Sequence, residues 1–335
     1  MATDTLTEQF AADVVRGLQQ SPKQLPSQYL YDALGSALFE AICRLPWYRI
    51  TRAEAGLLSA HSRAIVSLLR PADSARGAAP PSQGAVSLIE LGVGNGEKLA
   101  TIVEAVAAPV RVHIIDISDA ALDETAARLA GVPGVSIVRH PGTYDAGLAA
   151  AARARAGHGP ALALFLGSNI GNFDETGALD LLDRLRAALA PGDLLLLGAD
   201  LVKPVADLVL AYDDPLGVTA AFNRNLLVRL NRELGGGFDL DTFAHRAVWN
   251  EDAQRIEMHL VSTVAQEVPV AGIRVRFAAG ESVWTESSYK YTDAGIIALG
   301  RRAGFAPVDQ WIDRDAQFGL TLLTTGEQER RRSGD

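Results

Sequence analysis

The sequence predicts a doubly wound α/β protein whose sheet is interrupted by an inserted α+β region. Two observations predict the sheet: short apolar runs ending in glycine or aspartate, and helical stretches that alternate with them from residue 86 to 202. A third predicts the insert. Beyond Lys203 the alternation stops, and apolar residues recur at every second position, as in strands with one buried face.

The elements follow in chain order. Phe10, Val14, Val15 and Leu18 fall on one helical stripe, and a second short helix fits Ala37 to Leu45. Thr51-Arg-Ala-Glu54 reads as a capping box, with Leu57, Leu58, Ile65 and Leu68 on the helix behind it. Residues 72–85 (ADSARGAAPPSQGA) read as a surface loop. AVSLIELG is a continuous apolar run, expected of a strand buried on both faces of a parallel sheet. A helix from Glu97 to Ala108, the strand VRVHIID and a helix opened by Ser118 come next. The strand VSIVRH and a further helix precede the strand ALALFLG, a helix from Glu175 to Leu189 and the strand DLLLLGAD. Right-handed crossovers leave few other topologies. In the insert, a helix fits Thr219 to Leu234, and Gly235-Gly236-Gly237 marks a sharp break. Ile256, Met258 and Leu260, then Ile273, Val275 and Phe277, read as antiparallel strands. A helix capped by Thr292 ends at Gly304, and PVDQWID and GLTLLTT form a closing hairpin. The polar residues 326–335 read as a disordered tail.

Composition narrows the function classes. The chain has 335 residues, 48% hydrophobic and 21% charged, enough to bury a sizeable core. Its net charge of −9 disfavours a nucleic-acid partner. Cys43 is the one cysteine, so no intrachain disulfide forms. The six histidines form no paired ligand spacing, so no metal is expected. No apolar run is long enough for a membrane span and no signal pattern opens the chain, so a cytoplasmic protein is expected.

Glu90-Leu-Gly92-Val-Gly94-Asn-Gly96 falls at the first strand-to-helix junction. A dinucleotide fingerprint needs its third glycine at position 97, where this chain has Glu97. That weakens the reading of a nicotinamide-dependent oxidoreductase. The spacing E-x-G-x-G-x-G instead resembles the first motif of S-adenosylmethionine-dependent methyltransferases; a tight turn with no ligand stays open. Asp116 ends the second strand, where a carboxylate can accept both hydroxyls of a ribose. Because Ser118 and Asp119 follow, it equally suits a helix cap. Ser168, Asn169 and Asn172 fall at the carboxyl edge of the fourth strand, where open α/β sheets bind ligands.

Nearly the whole chain, from about Pro22 to Leu323, resembles the histidine-specific methyltransferases of ergothioneine biosynthesis, which trimethylate the α-amine of L-histidine. The stretches that carry the resemblance are PKQLPSQYLYDALGSALFEAICRLPWYRITRAE, ELGVGNGEK, FLGSNIGNF, GADLVKP, AYDDPLGVTAAFNRN, RIEMHL and WTESSYKYT. It implies a Rossmann-like class I methyltransferase sheet at 52–202 and 291–325, which binds S-adenosyl-L-methionine. It also implies an α+β substrate-binding domain at 1–51 and 203–290. The resemblance places Glu286 and Ser288 on the imidazole ring, and Tyr212 and Asn172 on the substrate carboxylate and amine. Tyr48 and Asn169 line the substrate pocket; Tyr31 and Asn172 stand next to the reacting amine as catalytic candidates, and Tyr31 also borders the cofactor. Cofactor positions are Glu90, Gly92, Gly94, Lys98, Asp116, Thr143, Tyr144 and Ser168.

This chain departs from the family pattern at three places. Asn169 stands where a Ser or Thr is common, Gly142-Thr143-Tyr144 where Gly-Asp-Phe is common, and Arg49 replaces an aromatic residue. The Thr143 change bears on the adenine contact; the Asn169 and Arg49 changes leave open a different number of methyls or a same-fold methyltransferase acting on another amino acid or on a secondary-metabolite amine. A non-catalytic ligand-binding protein is the remaining alternative. The expected assembly is a monomer or weak homodimer.

Overall fold

The structure is a computed structural model that describes residues 2–69, 86–106, 109–155 and 159–326. The expected loop at 72–85, the helix end at Ala108 and the tail after Gly326 lie outside the described residues. The chain divides into two compact units: Met1–Arg49 with Lys203–Lys290, and Ile50–Val202 with Tyr291–Asp335.

The second unit is built on a seven-stranded sheet. Along the chain its strands are β2 (Val86–Leu91), β3 (Val110–Asp116), β4 (Val135–Pro141), β5 (Ala161–Phe165), β6 (Leu194–Asp200), β12 (Ala306–Asp313) and β13 (Phe318–Thr324). Their order in the sheet is β12-β13-β6-β5-β2-β3-β4. Strands β2 to β6 run parallel to one another, and β13 runs antiparallel to both β6 and β12. Every residue of β2, β5, β6 and β13 is buried, so both faces are covered, as the unbroken apolar runs require. On one face, α6 (Tyr144–Arg155), α7 (Glu175–Ala188) and α10 (Asp293–Arg302) pack Leu148, Leu182 and Ile296 with Ile89, Leu91 and Ile115. A second layer comprises α3 (Ile50–Ser67), α4 (Glu97–Ala105) and α5 (Asp119–Leu129). From β2 the chain steps outward to β3 and β4, then returns to β5 on the other side of β2. The order reverses between β2 and β5, the point at whose carboxyl edge open α/β sheets bind ligands.

The first unit holds a four-stranded sheet, β1-β11-β8-β7, made of β1 (Lys23–Gln24), β11 (Ser282–Tyr289), β8 (Arg255–Ser262) and β7 (Phe243–Asn250). A separate hairpin pairs β9 (Gln266–Val270) with β10 (Ile273–Phe277). Its helices are α1 (Ala2–Leu18), α2 (Ala33–Arg44), α8 (Val205–Tyr212) and α9 (Val218–Leu234). The motif AYDDPLGVT owes its form to Asp214, whose carboxylate accepts from the amides of Leu216, Val218 and Thr219 and so starts α9. Gly235, in the left-handed region at φ 61°, ends it.

Several boundaries differ from expectation. Asp32 caps α2 by accepting from the Gly35 amide, so that helix begins four residues before Ala37. Helix α3 begins at Ile50, which puts Thr51 inside its first turn. The capping box is therefore overturned: Glu54 is fully buried and bonds elsewhere. Leu68 lies past the end of α3 and is exposed. Helix α8 and strands β7 and β9 are additions; α8 is one short apolar octet, and β7 mixes His, Arg and Trp without a clear period.

Candidate active site

In the second unit, strand β2 delivers its chain into a glycine turn with Gly92, Gly94 and Gly96 all at positive φ (74°, 54° and 74°). A Cβ on Gly92 would lie 2.8 Å from both the Asn169 amide nitrogen and the Tyr144 hydroxyl. A Cβ on Gly94 would meet nothing within 4 Å, so this side of the turn is open to a ligand. The Asp116 carboxylate accepts from the Val93 amide (3.0 Å) and the Ser118 amide (2.8 Å). It ties the glycine turn to the end of β3, and burial raises its pKa despite those hydrogen bonds. Asp116 stands at the end of β3, while the N-cap of the helix that follows is Ser118.

Glu90 is 2% exposed, and among the described residues its Oε2 has no hydrogen-bond partner. Burial pushes its pKa up to about 8, while Lys98 opposes the shift. Glu54, which the capping-box reading misassigned, is the other carboxylate here. It accepts the Gly167 amide with both oxygens (2.8 and 2.9 Å) and pairs with Lys98 Nζ at 2.5 Å. The glycine in GAD makes room for it, since a Cβ on Gly198 would land on Glu54 Oε1.

The turn after β5 carries Ser168 and the 3-10 segment Asn169–Asn172. Ser168 is buried, and its hydroxyl accepts from the Asp200 amide at 2.9 Å. Thr143 is exposed, and its hydroxyl accepts from the Ala146 amide at the start of α6. Tyr144 packs edge-on against Phe165, and burial raises its phenol pKa.

The first unit brings together Tyr31, Tyr48, Tyr212, Glu286 and Ser288, whereas Asn169 and Asn172 belong to the second. Tyr31 and Tyr48 pack on Phe39, Tyr31 also on Phe222, and Tyr48 on Tyr212. Strand β11 carries a bulge between Trp284 and Glu286. The bulge turns Thr285 and Glu286 both inward, and Ser288 and Lys290 follow on the same face. Glu286 is 8% exposed; burial pushes its pKa up to about 7, against the pull of Lys290 and the Tyr31 hydroxyl 3.4 Å away. Tyr212 donates to Ser288 Oγ at 2.7 Å, and Lys290 Nζ donates to both Ser288 Oγ (2.8 Å) and the Tyr212 hydroxyl (2.9 Å).

Lys290 and Glu54 are the two residues sequence reasoning passed over. The signal for Lys290 was its place four residues after Glu286 in WTESSYK, on the same strand face. Behind Tyr212, His245 donates from Nε2 to the Tyr212 carbonyl (2.8 Å) and accepts at Nδ1 from Asn223 (2.9 Å). Asn223 in turn accepts from the Thr285 hydroxyl at 2.7 Å. Asn225 and Arg232 hold Asp32, next to Tyr31. The run AFNRN is thus a scaffold for the tyrosines.

An open parallel sheet closed by a reversed hairpin, an E-x-G-x-G-x-G turn at its reversal point and an acidic end to the next strand define an S-adenosylmethionine-dependent methyltransferase. The donor set fits that cofactor. A buried carboxyl oxygen of Glu90, without a hydrogen-bond partner among the described residues, suits an ammonium, Asp116 suits a ribose, and the space beside Gly94 suits close approach. The chain belongs to the family of S-adenosylmethionine-dependent histidine-specific methyltransferases, whose model matches residues 10–325. It is 41% identical to a histidine N-alpha-methyltransferase of Mycolicibacterium smegmatis, over 96% of this chain and 97% of that one. A Mycobacterium tuberculosis protein of the same description is 40% identical over 92% and 93% of the two chains. An L-tryptophan methyltransferase of Psilocybe serbica is 29% identical over 95% and 93%.

Proposed function

We propose that the protein methylates the α-amine of L-histidine, up to trimethylhistidine, with the first unit recognising the amino acid and the second the methyl donor. The observation that carries the substrate is the buried face of β11: Glu286 and Ser288 lie two residues apart, with Tyr212 bonded to Ser288. A carboxylate beside a hydroxyl matches the N–H and the bare nitrogen of an imidazole. The two mycobacterial relatives support the same substrate.

S-adenosylmethionine supplies an electrophilic methyl group on a sulfonium. Glu90, Gly92, Gly94, Lys98 and Asp116 are the residues that would hold it. The chain's further work is to align the amine and exclude water, since the departing thioether is neutral and needs no acid. The amine must be unprotonated, and its ordinary pKa of about 8 or somewhat higher leaves a useful neutral fraction near pH 8. No strong base is then required: the Tyr31 hydroxyl orients the lone pair, and the aromatic faces of Tyr31 and Tyr48 tolerate the growing ammonium.

Calorimetry tests this reading. Glu286→Ala is expected to weaken L-histidine binding at least tenfold and leave S-adenosylhomocysteine binding within twofold. Equal loss of both, or no loss of histidine affinity, contradicts it. The relative described as an L-tryptophan methyltransferase supports a second reading, in which another aromatic amino acid is the substrate.

A further inference from the structure

We propose that Lys290 is a specificity-determining residue: it fixes the hydrogen-bond polarity of the β11 face so that Ser288 acts as a donor to a ring nitrogen. The inference rests on the histidine reading above and deepens it.

Glu286, Ser288 and Lys290 occupy alternate positions and share one face. Lys290 is 4% exposed, so its amine is committed to the interior. An ammonium has donors and no acceptor. Lys290 Nζ lies 2.8 Å from Ser288 Oγ and 2.9 Å from the Tyr212 hydroxyl, so each oxygen accepts one of its protons. The Tyr212 hydroxyl donates to Ser288 Oγ at 2.7 Å. Ser288 thereby accepts twice, which fills both of its lone pairs. What it still offers is its own proton.

Without the Lys290 donor, Ser288 could turn a lone pair outward and serve as an acceptor. With it, the face presents one donor at Ser288 and, two residues away, one acceptor at the Glu286 carboxylate. A neutral imidazole carries the complementary pair, one N–H and one bare nitrogen. An indole carries an N–H alone, and a phenyl ring neither. Either leaves the Ser288 proton buried without a partner, and sites of this kind reject ligands that lack the matching group. Lys290 also sits 4.7 Å from the centre of the Tyr212 ring, which holds that ring in register with the strand.

The test is calorimetry on the full chain with Lys290→Met, Lys290→Gln and Glu286→Ala. L-histidine, L-tryptophan and S-adenosylhomocysteine are the titrants. Lys290→Met is expected to weaken L-histidine binding tenfold or more and to shrink the preference for histidine over tryptophan. S-adenosylhomocysteine affinity should stay within twofold. Lys290→Gln, which keeps an amide donor, should lose less and covers the case in which the Met variant does not fold. If both Lys290 variants bind histidine as the parent does while Glu286→Ala loses it, the histidine reading stands and the role of Lys290 is refuted. If all titrants weaken together, Lys290 is structural only, which also refutes it. If the parent itself shows no preference for histidine, or Glu286→Ala leaves its affinity unchanged, the underlying reading fails and this inference falls with it.

Discussion

Three buried carboxylates have three different surroundings, and each makes a distinct forecast. Glu90 has an oxygen with no hydrogen-bond partner among the described residues, and its pKa rises from 4.5 to about 8. Between those values the native state holds a proton that the unfolded chain has released. Stability should therefore fall as pH rises through that window and level off above about 8. Glu90→Gln removes the effect. Its advantage over the parent should grow from nothing near pH 4.5 to on the order of 1–3 kcal/mol at pH 8, read by urea unfolding. A variant that tracks the parent at every pH would contradict this account of Glu90.

Glu54 is buried with good partners instead, the Gly167 amide and Lys98. Glu54→Gln keeps an acceptor for the amide and loses the ion pair. We expect S-adenosylhomocysteine affinity to drop about tenfold, the range for a charge-assisted contact, with histidine affinity unchanged. Loss of both affinities would assign Glu54 to general stability. Glu286 has a pKa near 7, and the groups facing it are Lys290 and the Tyr31 hydroxyl. Histidine binding needs its ionised form. Affinity should fall toward tenfold per pH unit below about 7, and a flat profile from pH 5 to 8 would contradict that role.

At the scale of elements, what was legible followed from burial. Strands β2, β5 and β6 are buried on both faces and read as unbroken apolar runs. Ser118 and Thr292 cap their helices as expected, because a hydroxyl at the N-cap is a local signal. Thr51 and Glu54 failed for the opposite reason. The same spacing that makes a capping box also places a carboxylate one turn into a helix, and only tertiary packing decides which. The bulge in β11 was equally hidden: period-2 reasoning paired Glu286 with Ser288 correctly but could not see that Thr285 also turns inward. Among the candidate site residues, the glycine turn was legible from its spacing and those on β11 came from the family resemblance, whereas the hydrogen bond of the Ser168 hydroxyl depends on the Asp200 amide of a neighbouring strand. Gly198 offers a test at this scale. Gly198→Ala drives a Cβ onto Glu54 within a closed core, so a loss of roughly 1–3 kcal/mol is expected from thermal or urea unfolding. Unchanged stability would mean that Glu54 can move aside freely.

At the scale of the whole molecule, the net charge of −9 argues for a small-molecule acceptor over a nucleic acid. Among the described residues no helix is long and apolar enough to cross a membrane. The two-unit chain matches its mycobacterial relatives along nearly their full length, so its architecture is theirs in outline. The most direct measurement incubates the purified protein with S-adenosylmethionine and each of the common amino acids, then weighs the products. L-histidine alone should gain one, two and three methyl groups in succession. Methylation of tryptophan or another amino acid in preference to histidine, or no transfer to histidine at all, would contradict it.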